Sequence, residues 1–259
     1  MAKARSGAAD RIAILDELRG LCILLMVLQH GLYTFGYIFH WPFAIEVYTW
    51  TLSIREYFAA AFVILCGISC HLSRSNLKRG LLLALVAAGL SFVLWLAAEW
   101  GLIGRNQQIW FGILHMLACC ILFYACCGKL LKKIPFWLGL ILTAALFFLT
   151  WYVPFYNGGF FGWPPFTLAY PNEWKSLPYL IPLGMGYIES GDFFPLIPWL
   201  FCFLFGACLG RYVRKLPKSL KKQHIRPLAF CGRHTLIIYL VHQPFFFGIG
   251  WLIAYFTGS

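Results

Sequence analysis

Seven stretches of about 20 mostly apolar residues recur along this 259-residue chain, and they limit its possible folds more than any motif does. They lie at 12–36, 55–73, 80–100, 109–128, 135–153, 192–211 and 229–256. A helix of about 20 residues crosses the hydrocarbon core of a bilayer. Because 61% of the residues are hydrophobic and only 12% are charged, the chain cannot cover a soluble surface. We therefore predict an all-α, polytopic membrane bundle of about seven transmembrane helices, forming one domain over residues 1–259.

The basic residues predict how this bundle is oriented. Of the 21 Lys and Arg residues, all except Arg55, Arg105 and Lys175 fall on the side of the membrane that holds the N-terminus. By the positive-inside rule the N-terminus is cytoplasmic, and an odd number of spans puts the C-terminus outside. The net charge of +12 is therefore mostly a topology signal. Nucleic acid is not an expected partner, whereas a phosphate-rich cytosolic ligand fits the basic face.

Two ionisable residues stand out in the first stretch, DELRGLCILLMVLQHGLY at 16–33. Arg19 and His30 are eleven residues apart, so on an α-helix they share one face at roughly 16 Å axial separation. If the span enters the hydrocarbon near Gly20, His30 lies about 15 Å deep, close to the midplane. Ionisable groups are costly in a bilayer and mark functional sites there.

Three further histidines are expected in the central and outer parts of the bundle. His40 falls at the outer interface, His115 lies about 9 Å in from the outer side, and His242 reaches the outer half. Each of the last two has two interpretations, a hydrogen-bonded polar residue of the core or a functional group. Gln243 and Pro244 follow His242, and the proline leaves a backbone carbonyl one turn back without its donor.

The outer segment 154–191 is rich in proline, glycine and aromatic residues and contains few charges. A connection of this length is typically functional or disordered, and its aromatic content argues against disorder. An interfacial aromatic belt and a re-entrant lid are two interpretations. A third is substrate binding, in which Trp163, Tyr170 and Trp174 offer flat faces with polar edges to a sugar or lipid headgroup.

The small residues of the spans indicate packing rather than chemistry. The ten cysteines lie inside spans and none forms a metal-like C-x-x-C pair, so we interpret them as small apolar filler and expect no metal. Gly206 and Gly210 form a G-x-x-x-G motif in the sixth span, which predicts close helix packing.

Haem proteins, secondary transporters and transmembrane acyltransferases are three classes of membrane protein that place histidines or broken helices inside their spans. Haem binding requires axial histidines paired at matching depths, and a secondary transporter shows repeated halves with broken helices. Neither pattern is present in the sequence. Transmembrane acyl transfer fits better, because the anionic end of acyl-CoA suits a basic cytosolic rim and its thin arm can carry a thioester to a midplane base. The alternative is a non-catalytic transporter or binding protein for an anionic or amphiphilic ligand.

Four blocks of the sequence carry a resemblance to a known family. They read RIAILDELRGLCILLMVLQH, IWFGILHMLACCILFYA, DFFPLIPWLFCFLFGACLGR and GRHTLIIYLVHQP. Together they resemble bacterial membrane proteins related to the catalytic domain of lysosomal heparan-α-glucosaminide N-acetyltransferase. The first block also fits the R-x10-H pattern of the broader transmembrane acyltransferase superfamily. The resemblance implies transfer from acetyl-CoA to an extracytoplasmic sugar, glycan or lipid-linked acceptor, in a bacterial cytoplasmic (inner) membrane.

The resemblance also implies roles for individual residues. Arg19 and His30 take the R-x10-H positions, whereas the lysosomal branch has asparagine at the position of His30 and its catalytic histidine near that of His40. We favour His30 as the general base because of its depth, with His40 as the alternative. An acetyl-histidine intermediate is the covalent variant.

The remaining candidates support the base or bind the donor. His115, His242 and Gln243 are candidates to stabilise the oxyanion or to orient the base. Basic residues on the cytosolic side are candidates for the CoA phosphates. They are Arg19, Arg74, Lys78, Arg79, Arg233 and His234. Lys78 and Arg79, taken singly, are also explained as topology signals. Arg19 and Arg233 each adjoin a glycine that permits close backbone approach, and Asp16 is expected to hold the Arg19 guanidinium.

Overall fold

The computed structural model describes residues 12–151, 178–184 and 190–257, and within these ranges the regular structure is entirely helical. The α-helices in chain order are α1 (Ala13–Tyr33), α2 (Pro42–Ser69), α3 (Asn76–Glu99), α4 (Ile113–Leu131), α5 (Phe136–Thr150), α6 (Leu196–Leu209), α7 (Lys218–Lys221), α8 (Arg226–Arg233) and α9 (Thr235–Thr257). They form two compact units, which we describe separately. Unit 1 contains residues up to 65 and from 215 onward, and unit 2 contains residues 66–214.

The predicted polytopic helical bundle is confirmed. Among the described residues, six helical segments are long and apolar enough to cross a membrane. They are α1 with the π-helical segment Thr34–Ile38, α2, α3, α4, α6 with the 3-10 segment Gly210–Lys215, and α9. The predicted span at 135–153 corresponds to α5, which is apolar but only 15 residues long. The sides on which the two termini lie remain predictions.

Two of the predicted spans have different boundaries in the structure. Helix α2 begins at Pro42, well before the predicted residue 55, and proline suits a first helical position because that N–H needs no partner. The predicted span 229–256 is interrupted at His234, where α8 ends and α9 follows. The His234 ring donates from Nδ1 to the carbonyl of Phe230 at 2.9 Å, which satisfies an acceptor at the end of α8.

In unit 1, α1 and α8 are in direct backbone contact. A Cβ atom at Gly20 would lie 1.9 Å from the carbonyl oxygen of Leu228, and one at Gly232 would lie 1.7 Å from that of Asp16. Any larger residue at either position would have to push the helices apart, because neither carbonyl can move independently of its helix. The two glycines therefore fix how closely α1 and α8 approach.

A buried carboxylate of α1 caps the start of α8. Glu17 is 4% exposed, and its Oε1 accepts from the backbone N–H of His224 at 2.6 Å and of Ile225 at 2.9 Å. Ile225 is the N-cap residue of α8 and makes no side-chain cap of its own. Glu17 thus accepts from the N-cap N–H, as the glutamate of a capping box does, and its negative charge suits a helix N-terminus.

In unit 2, the end of α2 packs tightly on α6. A Cβ at Gly67 would lie 2.1 Å from the carbonyl oxygen of Phe203 and 3.1 Å from the carbonyl carbon of Gly206. A Cβ at Gly210 would lie 2.6 Å from the His71 ring and 2.9 Å from the Ile68 carbonyl oxygen. The close packing predicted from the G-x-x-x-G motif is confirmed, with a third glycine on the partner helix.

Candidate functional site

Two of the predicted histidines meet in unit 1. His30 of α1 and His242 of α9 have ring centroids 5.1 Å apart, and Nδ1 of His30 lies 3.3 Å from Nε2 of His242. His242 is 7% exposed, and its Nδ1 donates to the Tyr239 carbonyl at 2.5 Å. Because that hydrogen bond occupies the proton on Nδ1, the neutral His242 ring presents a lone pair at Nε2.

This contact corrects the depth predicted for His242. The sequence put His30 near the midplane and His242 in the outer half, on the basis of a helix entering at residue 229. Since α9 begins at Thr235, His242 lies only seven residues into it, about 10 Å along the axis. The contact with His30 shows that the two rings lie at one level within unit 1.

An amide and a hydroxyl complete the cluster around His30. Gln243 places its side-chain nitrogen 3.2 Å from Nδ1 of His30, and its side-chain oxygen lies 3.1 Å from Oγ1 of Thr34. Thr34 is fully buried, and its hydroxyl also reaches the carbonyl of His30 at 2.9 Å. The sequence prediction missed Thr34, although a polar residue four positions after His30 shares its helix face.

Local sequence explains why the cluster forms at this level. A Cβ at Gly31 would lie 2.8 Å from the tip of the Phe246 ring, so the glycine leaves room for this ring of α9 to pack against α1. Pro244 lies inside α9 and removes the N–H that would pair with the Leu240 carbonyl. His242 and Gln243, directly before this proline, are the two residues of α9 that contact His30.

His40 occupies a different environment from His30. It is exposed, lies between the π-helical segment and α2, and has a φ of 56°, in the left-handed region. Among the described residues it has no hydrogen-bond partner. The structure therefore gives His30 a supporting network that it does not give the alternative base.

His115 takes part in a separate network within unit 2. Its Nδ1 accepts from the Gly112 backbone N–H at 3.3 Å, so a neutral ring carries its proton on Nε2. That nitrogen lies 3.3 Å from Oγ of Ser91, whose hydroxyl donates to the Ile109 carbonyl. Asp192 accepts from the Ile113 N–H at 3.2 Å beside them. One ring nitrogen of His115 thus accepts at the start of α4 and the other contacts Ser91 of α3, which favours the structural interpretation of this residue.

The predicted cations of unit 1 converge where α1 meets α8. Nη1 of Arg19 donates to Oδ1 of Asp16 at 2.9 Å, so the predicted partner of this guanidinium is confirmed. Arg233 is exposed at the end of α8. Gly20 and Gly232, next to these two arginines, were expected to permit close backbone approach. In the structure they permit the backbones of α1 and α8 to approach each other.

The predicted cations of unit 2 surround the start of α3. Arg74 and Lys78 are exposed, and Arg79 is half-buried. The same helix end borders an open cavity of about 270 Å³. Its lining includes Ser75, Asn76, Tyr124, Lys129 and Lys132. Lys129 near the end of α4 and Lys132 directly after it were not predicted as site residues, and they add positive charge to this cavity.

Three predicted substrate contacts, Trp163, Tyr170 and Trp174, lie outside the described residues. Within the described ranges, no group of three or more His, Cys, Asp or Glu side chains is arranged to hold a metal ion.

The fold and the partly buried histidine cluster define a polytopic helical membrane protein with a polar site inside its spans. The family model for heparan-alpha-glucosaminide N-acetyltransferase, catalytic, matches residues 11–244. The chain therefore belongs to this family of membrane acetyltransferases. No curated protein and no solved structure matches the chain.

Proposed function

We propose that this chain transfers an acetyl group from cytosolic acetyl-CoA to a hydroxyl or amine of an extracytoplasmic sugar or glycan, with His30 as the general base. The observation that carries the proposal is the contact between Nδ1 of His30 and Nε2 of His242 at 3.3 Å. It supplies what a catalytic histidine requires, namely a second group that orients the ring from the nitrogen that does not react.

The proposed step is direct transfer. The acceptor oxygen or nitrogen attacks the thioester carbonyl while Nε2 of His30 takes its proton. The bond from the acceptor to the acetyl carbon forms, the bond from that carbon to sulfur breaks, and the imidazolium returns the proton to the departing thiolate. His242 and Gln243 hold the His30 ring through Nδ1 during this cycle. The reaction ends with neutral His30, an acetylated acceptor and free CoA.

The donor is held by cations in this proposal. Arg19 and Arg233, near the α1–α8 contact, suit the CoA phosphates because guanidinium groups make charge-assisted hydrogen bonds to them. His234, at the start of α9, is a further candidate. In unit 2, Arg74, Lys78 and Arg79 remain candidates by their position around the start of α3. We place the enzyme in a bacterial cytoplasmic membrane, as the resemblance implies.

The direct test is transfer of radiolabel from acetyl-CoA by purified protein to cell-envelope fractions and to glucosaminides. Label in a product supports the proposal, and wild-type protein that binds no CoA at millimolar concentration contradicts it in favour of a non-catalytic membrane protein.

Arg19→Ala is expected to weaken CoA binding by about 1.5–3 kcal/mol, the range for a lost charge-assisted contact. Arg19→Lys is the matched control, since it keeps the charge and loses the planar fork. Unchanged CoA affinity in folded Arg19→Ala protein would remove Arg19 from the donor site.

A further inference from the structure

Thr34 lies one helical turn after His30 and is the most deeply buried member of the cluster. It is fully buried at the first position of the π-helical segment Thr34–Ile38. Single π-helical turns within helices occur often at functional sites, because they redirect side chains. Here the hydroxyl of Thr34 stands between the His30 carbonyl at 2.9 Å and the Gln243 amide at 3.1 Å.

The Thr34 hydroxyl has one hydrogen, and its two neighbours compete for it. The His30 carbonyl can only accept, so it takes this hydrogen at the shorter distance of 2.9 Å. Toward Gln243 the hydroxyl then presents a lone pair, and the amide group facing it must donate. A 180° rotation of the Gln243 amide meets this requirement by turning its NH2 to Thr34 and its oxygen to Nδ1 of His30. An amide can make this exchange without altering its outline.

That orientation of the amide determines where His30 carries its proton. An amide oxygen beside Nδ1 requires Nδ1 to be the protonated nitrogen. His242 imposes the same requirement, because its Nδ1 donates to the Tyr239 carbonyl and its Nε2 therefore faces His30 as an acceptor. The one hydrogen on Nδ1 of His30 is then shared between this nitrogen at 3.3 Å and the amide of Gln243 at 3.2 Å. With the proton on Nδ1, the lone pair of His30 is on Nε2. The opposite amide orientation would direct an NH2 group at Nδ1 and favour the tautomer that has no lone pair on Nε2.

We propose that Thr34 is a positioning residue that orients the Gln243 amide and thereby holds His30 in the Nδ1–H tautomer, with its basic nitrogen at Nε2. This inference rests on the proposed function only in so far as His30 is the base. Thr34 acts through Gln243, so it has no contact with substrate and no role of its own in proton transfer.

The test compares Thr34→Val, which keeps the shape and removes the hydroxyl, with Thr34→Ser, which keeps the hydroxyl. The tautomer of His30 is measured by 15N NMR of histidine-labelled protein above pH 8, with the His30 resonances assigned by their loss in His30→Gln. Wild type and Thr34→Ser are expected to hold the Nδ1–H form, and Thr34→Val is expected to populate both forms. Wild-type His30 in the Nε2–H form, or Thr34→Val protein that keeps the Nδ1–H form, would overturn the proposal.

The ratio of kcat to CoA affinity is a second measurement, and a purely structural role of Thr34 would not change kcat alone. Thr34→Val is expected to lower kcat by about tenfold or more, with CoA affinity within about twofold, because an incorrect tautomer removes base catalysis and not binding. In a Gln243→Leu background the same substitution is expected to have no further effect, since the amide it orients is gone. Additive losses would contradict the mechanism. The NMR result does not depend on turnover, so an inactive wild type would contradict the proposed function without deciding the role of Thr34.

Discussion

Glu17 is an acidic side chain in a mostly apolar helix, and its burial is explained by the two backbone N–H groups that it accepts. Glu17→Ala removes the oxygen that accepts both hydrogen bonds and leaves the two N–H groups just before α8 without it. We expect a loss of about 0.5–2 kcal/mol of unfolding free energy, the usual range for a lost helix cap, measured by thermal unfolding in detergent. Glu17→Gln keeps one acceptor oxygen and is expected to lose less. Equal stability of Glu17→Ala and wild type would show that α8 does not need this cap.

His71 gives a pH-dependent prediction at the same scale. It lies after α2, outside the membrane-spanning helices, and its Nε2 is 2.8 Å from the Tyr124 hydroxyl. Burial lowers the pKa of His71 from its ordinary value of 6.5, against a smaller opposing effect from a backbone hydrogen bond of Ala207. Below pH 6.5 the unfolded chain binds a proton at His71 more readily than the folded chain does. The free energy of unfolding therefore decreases as the pH is lowered through this range.

The measurement is thermal stability of wild type and His71→Gln between pH 5 and pH 8. The substitution is expected to reduce the loss of stability below pH 6.5 and to leave the slope above it unchanged. An identical acid-side slope in the two proteins would exclude His71 as the source.

At the scale of helices, the α1–α8 contact depends on having no side chain at two positions. Gly232→Ala would drive a methyl group into the Asp16 carbonyl, and we expect it to reduce the unfolding free energy by about 1–3 kcal/mol, as overpacking commonly does. Gly89→Ala in α3 is the matched control, because its Cβ would meet nothing within 4 Å. That variant is expected to be neutral or to gain up to about 1 kcal/mol from helix propensity. Equal thermal stability of the two variants would contradict the direct backbone contact.

Some features of the helices were predictable from the sequence and others were not. Apolar length predicted the spans because it reports directly on the hydrocarbon core, and the G-x-x-x-G motif predicted a contact because small residues have few other uses there. The break at His234 was not predictable in this way, because it depends on a side chain that caps α8 rather than on hydropathy. The meeting of His30 with His242 was missed because the predicted span began at 229, six residues before α9 begins at Thr235.

Thr34 and Glu17 show a second limit. Each is a single polar residue in an apolar stretch, and its role depends on a partner more than 200 positions away in the sequence. One sequence contains no signal for such a pairing. Arg19 and Asp16 were predictable because both partners lie on one helix, three residues apart.

At the scale of the whole molecule, the side of the C-terminus depends on α5. This helix has 15 residues and spans about 22 Å, less than the roughly 30 Å of a hydrocarbon core. If it crosses, with a locally thinned bilayer or flanking residues completing the span, the described helices make seven crossings, which matches the predicted outside position of the C-terminus. We expect a C-terminal reporter to be extracytoplasmic and an N-terminal one cytoplasmic. A cytoplasmic C-terminal reporter would contradict the predicted count of seven spans.

The central claim is that His30 is the base of an acetyl transfer, and turnover of alanine and asparagine variants tests it most directly. His30→Ala is expected to lower kcat by about 10²–10⁴-fold, the usual contribution of a general base, with folding and CoA binding nearly intact. His40→Asn is the comparison, because asparagine tolerates the left-handed backbone at that position, and it is expected to keep substantial activity. Both are measured with labelled acetyl-CoA at matched concentrations of folded protein. An active His30→Ala beside an inactive His40→Asn would contradict the account and move the chemistry to His40.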